Sequence, residues 1–277
     1  DAALVSQVLP SSYDLVELDL RHNKLGDEGC TALGKGLKQA SKTLMTLRLT
    51  RNGIRDAGGA VIADLLADRG CSLTVVDLSL NAMRSDVAFG GALRTNARLA
   101  DLDLSSNALR GCQAIASALA ANTTLTNANL LFNKLDLKSA ASLAAAVRAS
   151  RARGVPLTVC GVDPNTESVD LPRRGMSSAD AIVLAAELET APLIRSVDLS
   201  HNALGPEAAT ALGVALRLSR TLTSLNLQAN RLSGAYVTFG EEVGVRDNSG
   251  VHVLADSLSA AGALTSRAAA LTADLTT

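Results

Sequence analysis

Apolar residues return along this chain in one frame: apolar-x-x-apolar-x-apolar-x-x-Asn-x-apolar. Its cleanest form is Leu99-Leu102-Leu104-Asn107-Leu109. The frame also reads Leu15-Leu18-Leu20-Asn23-Leu25, Leu44-Leu47-Leu49-Asn52-Ile54 and Leu73-Val76-Leu78-Asn81-Met83. It continues as Leu125-Ala128-Leu130-Asn133-Leu135, Ile194-Val197-Leu199-Asn202-Leu204 and Leu222-Leu225-Leu227-Asn230-Leu232. An eighth copy, Val169-Leu171-Arg174-Met176, lacks the Asn. Within each copy the alternation of apolar and polar positions predicts a short strand, with residues such as Leu18 and Leu20 on one face. The Asn marks a turn, where its amide can bond backbone groups of adjacent turns that would otherwise be buried unpaired. After the turn the spacing changes to four: Leu33 and Leu37 follow Gly29, and Ile62 and Leu66 follow Gly58, as on one helix face.

Copies starting at Leu15, Leu44 and Leu73 are 29 residues apart, those at Leu99 and Leu125 follow at 26, and Ile194 to Leu222 is 28. Two stretches break the period. Residues 153–165 hold Pro156 and Pro164 and read as an irregular loop, with an extra strand at Leu157–Val162 as the alternative. Residues 233–248 hold Tyr236 and Phe239, and the pattern predicts a hairpin of Tyr236–Phe239 with Val243–Arg246. Leu254 and Leu258 then return to helical spacing, and 264–277 reads as a C-terminal cap. Residues Asp1–Tyr13 read as a capping helix or the end of a preceding repeat, because the first strand needs cover on its outer side.

The frame is the leucine-rich-repeat signature. Units of 28–29 residues with a helix resemble the ribonuclease-inhibitor-like class, which also supplies the repeat domains of NOD-like immune receptors and of the Ran GTPase-activating protein. That resemblance implies an α/β fold: a right-handed horseshoe with parallel strands on the concave face and helices on the convex face. It implies one domain over 1–277, of eight to nine repeats, and a binding scaffold whose partner does not follow from the fold.

Outward strand positions are then predictable. The central one in successive copies is Asp19, Arg48, Asp77, Asp103, Asn129, Asp170, Asp198 and Asn226. Glu17, Asp101 and Arg21 flank this stripe, giving seven acids against two arginines. Such a face steers a basic protein partner toward it. The plain alternative is that Leu-Asp-Leu-Ser is only the usual spelling of the strand. Leu131 is outward by alternation and Phe132 follows it, with Leu80 in the slot matching Phe132; these are apolar anchor candidates, the alternative being that Leu80 and Phe132 tuck under the neighbouring turn as core. Tyr236 and Phe239 form a second candidate site, since an aromatic-bearing insertion on an aromatic-poor body often carries recognition.

Composition narrows the chemistry. Hydrophobic residues are 47% and aromatic residues 2%, so thin layers of Leu, Val and Ala make the core. A net charge of −1 leaves no overall electrostatic footprint for nucleic acid or an anionic membrane. No apolar run reaches the roughly 20 residues of a membrane span. Cys30, Cys71, Cys112 and Cys160 have no close spacing and read as small buried residues, which favours a reducing, intracellular setting, cytoplasmic or within an organelle or cilium. His22 and His201 share one repeat slot, so they read as repeat variation rather than catalysis. No phosphate-binding glycine loop, metal motif or catalytic set appears, and no cofactor is expected. The leading expectation is a non-enzymatic protein-interaction scaffold within a heteromeric complex. A GTPase activator of the Ran-activator type and a detached sensor domain of an immune-type receptor are the alternatives.

Overall fold

The computed structural model describes residues 2–9, 14–40, 42–163, 165–234, 236–238, 241–243 and 246–260. Its contacts group into two compact units, Asp1–Gly161 and Val162–Thr277.

In the first unit, helix α1 (Ala2–Val8) precedes strands and helices in strict alternation. These are β1 (Glu17–Asp19), α2 (Gly26–Ala40), β2 (Thr46–Arg48), α3 (Asp56–Ala67), β3 (Val75–Asp77), α4 (Val87–Leu93), β4 (Asp101–Asp103), α5 (Gln113–Leu119), β5 (Asn127–Asn129) and α6 (Leu137–Ala152). The five strands form one parallel sheet in sequence order. Each inward residue sits beside its equivalent: Leu18 on Leu47, Leu47 on Val76, Val76 on Leu102 and Leu102 on Ala128. Leu47, Leu49, Val76 and Leu78 are wholly buried, as are Ile62 and Leu66 on the facing helix. The α4 and α5 helices have seven residues where α2 and α3 have fifteen and twelve, which accounts for the shortened sequence step. Gly90 permits this tight stacking, because a Cβ there would lie 2.5 Å from the Ala114 backbone.

Asparagine joins the layers as its position predicts. Asn52 Nδ2 donates to the Leu20 and Leu49 carbonyls at 2.8 and 3.0 Å, and its Oδ1 accepts from the Asn23 and Leu25 amides. Asn81, Asn107 and Asn133 repeat the arrangement one layer on. A second ladder runs along the helix starts. Asp27 Oδ1 accepts from the Arg55 and Gly58 amides, Asp56 Oδ1 from Arg84 and Ser85, and Asp86 Oδ2 from Ala114 and Ile115. Each carboxylate thereby satisfies orphan amides of the next repeat.

Between Val155 and Gly161 the chain forms no strand, yet it closes the sheet. Thr158 and Val159 carbonyls accept from the Ala128 and Leu130 amides, and Thr158 donates back to Thr126. Leu157, Val159 and Cys160 are buried beneath. The expected irregular loop is thus a strap that pairs along β5 and covers its edge.

In the second unit, β6 (Ser168–Asp170), α7 (Ser178–Leu188), β7 (Ser196–Asp198), α8 (Pro206–Leu218) and β8 (Ser224–Asn226) make a three-stranded parallel sheet with its helices. Asn202 and Asn230 supply its amide ladder. Arg174 stands at the Asn slot beside β6, the first strand of this sheet. A hairpin follows, β9 (Tyr236–Thr238) against β10 (Glu241–Val243), and then α9 (Ser249–Ala260) packed on α8. The second strand therefore starts at Glu241, two residues earlier than the expected Val243, because Thr238 pairs with Glu241. The expected cap at 264–277 lies outside the described residues.

Candidate functional site

Strand register places the outward stripe as its spacing predicts. In the first unit Asp19, Arg48, Asp77, Asp103 and Asn129 lie side by side across five strands. In the second, Asp170, Asp198 and Asn226 do the same across three.

Many of these side chains are already engaged. Asp19 holds Arg21 through paired contacts of 2.6–2.9 Å, and this hydrogen bonding draws its carboxyl down to about 2. Arg48 Nε donates to Glu17 at 2.9 Å. Asp77 accepts from the Thr50 hydroxyl at 2.6 Å and from the amide and hydroxyl of Ser79. Asp103 accepts from the Ser105 amide and from Asn129 Nδ2, and Asp101 from Asn127 Nδ2. Asp198 repeats the pattern with Ser200 and Asn226. The Ser two residues after the Asp is therefore the stripe's anchor, and the spelling Asp-Leu-Ser is where sequence could have revealed it.

Burial raises the Asp101 and Asp103 carboxyls, and the charge of neighbouring acids adds to the effect while amide and hydroxyl donors oppose it. At Asp198 burial pushes upward as well, but the Ser200 and Asn226 donors and the nearby His201 charge outweigh it, so this carboxyl is lowered. On the strand face of the first unit the acids without an ion pair among the described residues are Asp77, Asp101 and Asp103, on β3 and β4, and in the second unit Asp170 and Asp198.

Leu131 does not face outward. It is 3% exposed, and its equivalents Thr50, Ser79, Ser105 and Ser200 are buried too. The three-residue strand ends before this slot, so the side chain lies against neighbouring turns rather than standing off the pleat. The next slot is the exposed one. His22, Arg51, Leu80, Ser106, Phe132, Arg173, His201 and Ala229 all have φ between 54° and 62°. That left-handed turn points Leu80 outward, 49% exposed, while Phe132 is half-buried. Asn129 is partly covered by the strap: a Cβ on Gly161, at φ +62°, would meet its Nδ2 at 2.7 Å. Of the insertion candidates, Tyr236 lies on β9 and Phe239 falls outside the described residues.

No group of three or more His, Cys, Asp or Glu among the described residues forms a metal-binding cluster. No helix among them is long and apolar enough to cross a membrane. All four cysteines are buried, and none is in a disulfide.

The Leucine Rich repeat family profile matches residues 14–34, 40–63 and 190–213. No curated protein matches the chain. Among solved structures, actin-binding site 2 of leiomodin-1 is similar over 54% of this chain and 88% of its own, at 15% identity and TM-score 0.43. The tropomodulin C-terminal domain of Caenorhabditis elegans covers 56% of this chain and 95% of its own, at 14% identity and TM-score 0.40. An internalin of Listeria monocytogenes covers 84% of this chain and 65% of its own, at 16% identity and TM-score 0.41. Repeated frame, parallel ladders and matched profile agree that the chain is built of leucine-rich repeats.

Proposed function

We propose that the chain is a non-enzymatic protein-interaction module of the ribonuclease-inhibitor-like kind, serving in a larger assembly, whose strand face receives a basic protein partner. One observation carries the reading: Asp77, Asp101 and Asp103 form a patch of adjacent carboxylates on β3 and β4 that makes no ion pair among the described residues, with Arg48 at its margin. A cationic side chain placed there would relieve the mutual repulsion that contributes to raising Asp101 and Asp103. Asp19, Arg48 and Asn129 would form the margin of the same face.

The test is capture from native extract with the wild-type chain and an Asp77→Asn/Asp101→Asn/Asp103→Asn variant. Asn keeps an acceptor for the Ser79 and Ser105 amides and removes the charge, its NH2 taking the place of the oxygen that accepts from Thr50 or Asn129. A basic protein retained by the wild type, released by salt and missed by the variant is the expected result. Equal capture by both would remove the strand face from consideration.

A further inference from the structure

The turns carry a second charged surface of opposite sign. Three residues after the turn Asn, successive copies of the first unit hold Arg55, Arg84 and Arg110. All three are exposed, and none forms an ion pair among the described residues. Their backbones are stacked: Ala82 N–H donates to the Ile54 carbonyl at 2.7 Å, Ala108 to Met83 at 2.8 Å, and Lys134 to Leu109 at 2.9 Å. Each acceptor carbonyl belongs to the peptide that leads into an arginine of this row: Ile54 into Arg55, Met83 into Arg84 and Leu109 into Arg110. The arginines therefore repeat at close to the spacing of bonded strands, roughly 4.8 Å. Like charges stacked at that spacing oppose folding. Asp27, Asp56 and Asp86 lie beside the row and Asp136 takes its next position; one oxygen of each of the first three accepts backbone amides, those of Arg55 and Arg84 included, and none of these acids pairs with an arginine side chain of the row among the described residues.

Beside this row runs the left-handed slot, where Leu80 is held outward at φ 54° with half its surface in solvent. Phe132 occupies the same slot two layers on. We propose that the turn rim of the first unit, Arg55, Arg84 and Arg110 together with Leu80 and Phe132, docks an acidic polypeptide segment that carries apolar side chains. Charge complementarity selects the acid, and the exposed Leu selects an apolar companion. A bare phosphate chain fits less well, because it offers no apolar group to the exposed Leu80. This surface is separate from the strand face, so either reading stands or falls without the other.

The experiment measures fluorescence anisotropy of three labelled probes against the purified chain. They are a short synthetic peptide of glutamates interspersed with leucines, a polyglutamate of equal length, and a single-stranded oligonucleotide. The glutamate–leucine peptide should bind most tightly. Arg55→Glu/Arg84→Glu/Arg110→Glu should weaken it by at least about tenfold. Leu80→Ser should weaken it several-fold, and Asp77→Asn/Asp103→Asn should not weaken it. Thermal melting confirms that the variants fold, with Arg→Gln replacements at the same positions if charge reversal prevents folding. Binding unchanged by the arginine variants, or no preference over polyglutamate, overturns the proposal. Tighter binding of the oligonucleotide overturns it in favour of a nucleic-acid partner.

Discussion

A turn asparagine matters to this fold only when another layer stands before it. Asn52 is 1% exposed and serves five backbone groups in two layers, whereas Asn23 is exposed and its amide donates only to its own turn. Asn52→Ala should therefore lower unfolding free energy by about 3 kcal/mol, since buried carbonyls and amides lose partners. Asn23→Ala should cost no more than about 1 kcal/mol, and urea denaturation of the pair distinguishes them. The same logic explains Arg174, which holds the Asn slot beside the first strand of its sheet. Burial also decides the cysteines: it pushes the Cys30 thiol up to about 12 and raises Cys71 and Cys112. None of the four should be alkylated by iodoacetamide in the native chain at neutral pH, and all should be once it is unfolded, as read by mass spectrometry. At this scale the sequence was legible for Asn, Leu and Cys, whose roles follow from the repeat and from burial. It misled for Leu131, because alternation persists in the letters one residue beyond the point where the backbone leaves the strand.

Individual strands and helices here are too short to stand alone, and the ladders between them carry the order. Strands have three residues and α4 and α5 seven, below the length at which an isolated helix is stable. Asp27→Ala should free the amides of Gly58 in α3 and of Arg55 just before it and cost about 1–2 kcal/mol, visible as a lower denaturation midpoint. Sequence spacing concealed this bond, since the acid and the amides that it serves belong to different copies of the repeat. The acidic pair on β4 acts in the other direction. Raised folded-state values mean that Asp101 and Asp103 bind protons more readily in the native chain than in the unfolded one. Their contribution is thus unfavourable at neutral pH and fades as pH falls toward the ordinary carboxylate value of about 4. Asp101→Asn/Asp103→Asn should melt higher than wild type at pH 7, with the difference shrinking near pH 4.

At the scale of the whole molecule, the frame announced the α/β repeat architecture from its first copies, because every layer repeats one hydrogen-bonding problem and one solution. The strap was harder to read. Leu157, Cys160 and Val162 keep the frame's spacing, but Val169 follows too closely for a helical crossover, so pattern alone left loop and strand both open. The structure resolves this with three ladder bonds and no strand. Since that strap covers the β5 edge, residues 1–161 should form a cooperatively melting fragment on their own. Circular dichroism of the fragment should show one sigmoidal transition, and removal of 155–161 should lower it and promote association through the bared edge.

The left-handed slot has a consequence for how such a chain can change over time. Eight residues of quite different character occupy it with nearly the same φ, and none is glycine. Each non-glycine residue there costs roughly 1 kcal/mol relative to one that adopts the conformation freely. A sequence selected for stability alone would fill the row with glycine and asparagine. Because the ladder imposes the same conformation on every layer, exchanging one side chain for another at this slot leaves the scaffold's geometry alone while rewriting what the rim displays. The row is thereby a stretch of surface on which specificity can drift independently of the fold.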